Sequence, residues 1–107
     1  MSDGSKEQMK KIYICGKVTG NVDYFLDFSY VEDRLRFYGY EPVNPVTLID
    51  IVDDEPWESA MKIAITAMLG CDGVALLSNW QDSKGAKIEA SLAAQIGIEV
   101  RPYNEWH

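Results

Sequence analysis

The stretch from Asp72 to Val100, DGVALLSNWQDSKGAKIEASLAAQIGIEV, constrains the fold more than any other part of the chain. It reads as strand, polar loop, helix and strand. The apolar run Val74 to Leu77 fits a strand buried on both faces. Ser78, Asn79, Asp82, Ser83 and Gly85 supply the turn chemistry that ends it before a helix begins near Lys84. Within that helix Ile88, Leu92, Gln95 and Ile96 recur at helical spacing. So do Glu89, Ala93 and Ile96, which puts a carboxylate on or beside the stripe that faces the core.

A charge on an apolar stripe must be paired, protonated or open to a cavity, because isolating it in low dielectric costs more than a helix returns. Two readings follow. Glu89 either sits at the stripe's edge, reaching water or pairing with Lys84, Lys87 or Arg101, or it serves a site. The second draws on position. In an open α/β sheet ligands bind beyond the carboxyl ends of the strands, and Glu89 lies just over a turn past such a loop, near the positive end of its helix.

The preceding residues extend the pattern. The polar opening MSDGSKEQMK is read as a flexible segment over residues 1–10, and residues 11–107 as a single domain. KIYIC begins a short strand at Lys11 that runs into GKVTGN. There two glycines, a lysine and a threonine can present amides and a hydroxyl to an anion, or simply form a turn. The spacing Gly16, Gly20 matches neither the dinucleotide fingerprint nor the Walker pattern. A helix from about Asn21 to Tyr38 carries Phe25, Phe28, Val31, Leu35 and Tyr38 as its sheet-facing stripe, with Gly39 as its stop. A strand around Glu41 to Val43 is marked as short or peripheral by Pro42 and Pro45.

NPVTLIDIVDDEP then reads as a long loop covering a site, its acidic run Asp53, Asp54 and Glu55 fitting a solvated face or the charged first turn of the next helix better than a metal site. The helix from Trp57 to Leu69 is apolar around much of its circumference, so it is expected to be buried twice, once on its own sheet and once against another subunit of a homo-oligomer, a symmetric dimer by default.

Strands alternating with helices imply a small doubly wound α/β domain: about four parallel strands in the order 2-1-3-4, with helices on both faces. That order sets the GKVTGN loop beside the loop before Glu89. With 107 residues and 47% hydrophobic content, one core is well supplied. The formal net charge of -7 argues against a nucleic-acid polymer or an anionic membrane as partner and leaves small metabolites open. Cys15 and Cys71 belong to no CxxC pair and the one histidine is His107, so no metal and no disulfide is expected and both thiols read as buried and free. With no hydrophobic leader pattern or membrane-length apolar run, a cytoplasmic location is expected.

Five segments in this order, KIYICGKVTG, GYEPVNP, WESAM, CDGVALLSNW and SKGAKIEASLAAQIGIEV, resemble the nucleoside 2-deoxyribosyltransferase superfamily. The greatest similarity is to its small bacterial and phage members of unknown function. The opening and the Ser83, Gly85, Glu89 arrangement are also similar to the deoxynucleoside monophosphate N-glycosidases. The resemblance implies that Glu89 is a nucleophile toward the anomeric carbon of a deoxynucleoside or its 5′-monophosphate, cleaving the N-glycosidic bond or transferring the deoxyribosyl group without a cofactor. It implies Asp82 as the group that protonates or holds the departing base. Gly16, Lys17, Thr19, Gly20, Ser83 and Gly85 would surround the sugar or its phosphate, and Tyr13, Asp72 and Trp80 are the candidates to border base or sugar, with core packing the alternative for Tyr13 and orientation of the strand end or the loop the favoured role of Asp72. One position departs from the pattern: Ala64 stands where relatives often carry an active-site Asp. That departure leaves open a protein that binds or sequesters a nucleotide without cleaving it.

Overall fold

The structure is a computed structural model and describes residues 9–49 and 56–107. Four strands, β1 (Lys11–Cys15), β2 (Glu41–Val43), β3 (Gly73–Leu76) and β4 (Glu99–Pro102), form one parallel sheet in the order β2-β1-β3-β4. Helices α1 (Tyr24–Phe37), α2 (Pro45–Ile49), α3 (Trp57–Leu69) and α4 (Lys84–Gln95) connect them, with single 3-10 turns at Trp80–Asp82 and Tyr103–Glu105. This is the small doubly wound architecture expected from the alternation of strand and helix. The acidic run Asp53, Asp54, Glu55 and residues 1–8 of the opening segment lie outside the described residues.

The alternation within β1 builds two cores. Ile12 and Ile14 face α1, where they join Phe28, Val31 and Leu35. Tyr13 and Cys15 face the other way, toward Ala64 and Met68 of α3 and Ala86, Ala90 and Ala93 of α4. Every residue of β1 after Lys11 is buried, as a central strand between two neighbours requires. Pro42 lies on the peripheral strand, where its missing amide disrupts no second ladder.

The chain end completes the α1 face. Trp106 is buried, and its indole N–H donates to the Val74 carbonyl at 3.0 Å. The tertiary structure thus packs this residue against its own sheet. Gly73 makes room for it: a Cβ there would lie 2.7 Å from Cζ2 of the indole.

Three expectations change. The connection after Asn44 is not all loop, because the Asn–Pro pair starts α2. Asn44 Oδ1 accepts from the Val46 amide at 2.9 Å, the role of a capping side chain, while Pro45 occupies the first helical position. On α1 only Phe28, Val31 and Leu35 are buried. Phe25 is 53% exposed, and Tyr38 lies past the helix, with the Arg34 guanidinium 5.0 Å from its ring centroid. On α4 the inward face is Ala86, Glu89, Ala90 and Ala93, whereas Ile88 and Ile96 point to solvent. Small residues let a helix come close to a sheet, so the alanine face turned inward although larger apolar side chains were available. α3 likewise buries Ala64 and Met68 and leaves Ile63 and Leu69 exposed, so the second covering surface expected for it is not supplied by the described chain. No described helix is long and apolar enough to cross a membrane.

Candidate functional site

The chain leaves β1 toward β2 and leaves β3 toward β4, in opposite directions across the sheet. The loops after these two neighbouring strands therefore diverge and open a crevice at the carboxyl edge. Short bonds hold them at its base. The Leu77 amide donates to the Cys15 carbonyl at 2.8 Å, and the Lys17 amide donates to Asn79 Oδ1 at 3.1 Å. Gly16 permits the approach, since a Cβ at this position would lie 2.8 Å from Leu77 Cβ.

The crevice holds a cavity of about 420 Å³, within the size range of small-molecule sites. Tyr24 and Phe28 of α1, Pro45 and Val46 of α2, and Trp57 and Met61 of α3 give it aromatic and apolar walls. Among the described lining residues, polar groups come from Tyr13, Thr19, Ser83 and Glu89, together with the Tyr24 hydroxyl and the Trp57 indole N–H. Ser83 is the N-cap of α4, its Oγ accepting from the Ala86 amide at 3.1 Å. Gly85 lets α3 close against this helix start, a Cβ there lying 2.9 Å from the Met61 sulfur.

Glu89 is 6% exposed. The partners that would make it a structural ion pair are engaged elsewhere. Arg101 binds Glu99, with Nε donating to Oε2 at 2.6 Å, and the Lys84 ammonium sits 4.5 Å from the centroid of the Trp57 ring. Lys87 is exposed, and no salt bridge to Glu89 occurs among the described residues. Burial raises the carboxyl from its ordinary 4.5 to about 7, opposed by the Tyr13 hydroxyl and the Cys15 thiol, which favour the ionised form. Tyr13 and Cys15 are themselves pushed well above their usual ranges, first by burial and then by Glu89. The Cys15 thiol donates to the Ala86 carbonyl at 3.4 Å. The Tyr13 hydroxyl is buried without a hydrogen-bond partner among the described residues: it lies near enough to Glu89 to affect its ionisation, but makes no well-formed bond to it.

Of the residues singled out in the sequence, Tyr13, Gly16, Thr19, Ser83, Gly85 and Glu89 converge on the cavity. Five do not line it. Lys17 and Gly20 belong to the turn instead. Gly20 has φ +79°, the conformation that favours glycine, and a Cβ built on it would lie 3.7 Å from Lys17 Cε, so the lysine stem folds back on the turn. Asp82 is exposed in its 3-10 turn. Trp80 packs on the core under α4 and borders a smaller depression with Leu76 and Pro102. Asp72 stands at the opposite, amino edge of the sheet, where its carboxylate accepts from the Lys11 amide at 2.8 Å, orienting a strand end. Ala64, the departure from the resemblance, does line the cavity.

Sequence patterning missed most of the wall. Tyr24 and Trp57 were visible only as residues near helix starts, and Asn79 only as a turn former. Both cysteines are buried and free, as expected. Among the described residues no group of His, Cys, Asp or Glu could hold a metal.

Fold and site together define a small parallel α/β protein with a cavity at its switch point, built around one buried carboxylate. The chain belongs to a family described as a domain of unknown function, DUF4406, which matches residues 10–101. No curated protein matches the sequence at a significant level.

Proposed function

We propose that the protein cleaves the N-glycosidic bond of a 2′-deoxynucleoside or its 5′-monophosphate, releasing the base or passing the deoxyribosyl group to a second base. The observation that carries this reading is Glu89: buried, without a cationic partner among the described residues, and facing a cavity with aromatic walls. The resemblance to the nucleoside 2-deoxyribosyltransferase superfamily supports it, because the Glu89, Ser83 and Gly85 that carry the likeness all line that cavity.

In this mechanism an ionised Glu89 oxygen bonds to C1′ as the C1′–N bond breaks through an oxocarbenium-like transition state. The bonding pair leaves with the base, which takes up a proton. Attack at C1′ by water, or by the nitrogen of a second base, then frees the carboxylate, and the attacking group gives up its proton. Tyr13, whose hydroxyl has no partner among the described residues, would donate to the Glu89 carboxylate or to the sugar. The aromatic residues of the wall offer faces for the base.

A second reading is a protein that binds the nucleotide without cleaving it. Ala64 favours this, because Glu89 is the one carboxylate among the described lining residues and no second acid there serves the departing base.

The test is base release from each deoxynucleoside and deoxynucleoside 5′-monophosphate, resolved chromatographically, by the wild type and Glu89→Ala. The expected result is release that falls by on the order of 10³-fold or more in the variant. Its kcat/KM should rise with pH through about 7, as the buried carboxyl gives up its proton. Folded wild-type protein that binds these compounds and releases no base would establish the second reading.

A further inference from the structure

We propose that Lys84, held over Trp57 at the exposed rim of the cavity, is the residue that selects a 5′-phosphorylated substrate. This inference rests on the reading of the cavity as a deoxynucleoside site and names which form of the substrate it takes.

The first observation is one of charge. The chain carries 17 acidic against 10 basic residues, yet the first turn of α4 has no acid and bears Lys84 and Lys87. The helix dipole disfavours cations there and favours an anion. α1 and α3, by contrast, carry Asp27 and Glu58 in their first turns. The positive end of α4 is therefore left uncompensated by its own first turn, and it opens on the cavity through Ser83 and Gly85.

The second observation is independent of the helix end. The fully buried Tyr13 hydroxyl lines the same cavity with no partner among the described residues, so the site is built to receive a polar ligand. The third is the placement of cations. No lysine or arginine is among the described residues that line the cavity. Lys17, the cation that the loop sequence suggests, has its stem against Gly20 and lies outside the lining. Lys84 is the cation seated on a wall residue, its Nζ 4.5 Å from the centroid of the Trp57 ring, and that ring lines the cavity.

The cation–π contact holds an ammonium on a ring of the cavity wall, and Ser83, the N-cap that precedes Lys84 in the chain, lines the same cavity. The contact is exposed and weak enough to be given up for a phosphate dianion. A phosphate there would meet one charge, one hydroxyl and backbone N–H groups, while the sugar and base extend toward Tyr13, Glu89 and the aromatic wall.

The experiment measures equilibrium binding of the 2′-deoxynucleosides, their 5′-monophosphates and inorganic phosphate by calorimetry. A Glu89→Gln background keeps the ligands intact, and Lys84→Gln is compared with Lys62→Gln, an equal change of charge on an exposed position of α3. The expected result is at least about tenfold tighter binding of the monophosphate than of the nucleoside. Lys84→Gln should reduce that ratio to within a few-fold of unity, and Lys62→Gln should retain it. A ratio that survives Lys84→Gln, or nucleosides binding as tightly as their monophosphates, overturns the role of Lys84 and leaves the deoxynucleoside site standing. Binding of none of these ligands by the folded protein overturns both.

Discussion

The two faces of the sheet are built from the same strands yet are chemically opposite. On the α1 face Ile12, Ile14, Phe28, Val31 and Leu35 pack as a large-residue apolar core, and the buried indole N–H of Trp106 is satisfied by the Val74 carbonyl. On the α3 and α4 face the packing residues are small, Ala64, Ala86, Ala90 and Ala93, and among them lie Tyr13, Cys15, Cys71 and Glu89. There burial raises every one of the four titratable groups above its ordinary range, Cys71 to about 11 and Glu89 to about 7. In the first core the indole N–H is paired, and the donor on that side left unpartnered among the described residues, Arg34 Nε, lies beside the Tyr38 and Tyr103 rings at the outer end of α1 rather than among the core residues. The other holds an unpartnered hydroxyl and a carboxyl poised between its two charge states. The first face stabilises the fold, and the second spends stability on a reactive site.

This division can be broken most directly on the first face. Trp106→Ala removes a buried indole and its hydrogen bond, and should destabilise the protein by about 3–5 kcal/mol in denaturant melts. A loss below about 1 kcal/mol would show that the chain end is dispensable and that the α1 face is not the stabilising one.

On the second face the sign is reversed. The folded state holds the Glu89 proton up to about pH 7, whereas the unfolded chain releases it near 4.5, so between these values the folded state binds more protons and stability falls as pH rises. Glu89→Gln removes this dependence. The variant should match the wild type at pH 4 and exceed its stability by about 3 kcal/mol at pH 9. A stability difference that does not change with pH would mean that Glu89 is ionised and paired in the folded protein.

The smallest effect sharpens the comparison at the point where the helix end and cavity meet. Ser83→Ala removes the cap of α4 and should cost about 1 kcal/mol, read from the shift in melting midpoint. If Ser83 also serves the ligand, its loss should weaken monophosphate binding beyond what the change in stability accounts for. Unchanged binding would make Ser83 a cap alone.

Much of this was legible along the chain. The order of elements and the strand order 2-1-3-4 follow from alternation and the handedness of crossovers, and the start of α4 at Lys84 follows from Ser83 and the turn residues before it. The helix expected from Trp57 to Leu69 is α3. Other features were hidden because they depend on distant residues. Asp72 looked like a neighbour of the site in sequence, but it precedes β3 and so stands at the opposite edge from Asp82 and Ser83, which follow that strand. Lys17 lies within the expected anion loop, yet the turn at Gly20 directs its side chain away from the cavity.

The sequence by itself determined that Glu89 would share one side of the last helix with Ala86, Ala90 and Ala93, because helical spacing relates them whatever surrounds them. Only the tertiary structure decided that this alanine face, rather than the one bearing Ile88 and Ile96, would turn inward. It also set Glu89 against Tyr13 and Cys15, brought from more than seventy residues away by the pairing of β1 with β3. Periodicity fixes angles around a helix axis; which angle faces the sheet is settled by the distance of closest packing, and that distance is a property of the assembled layers.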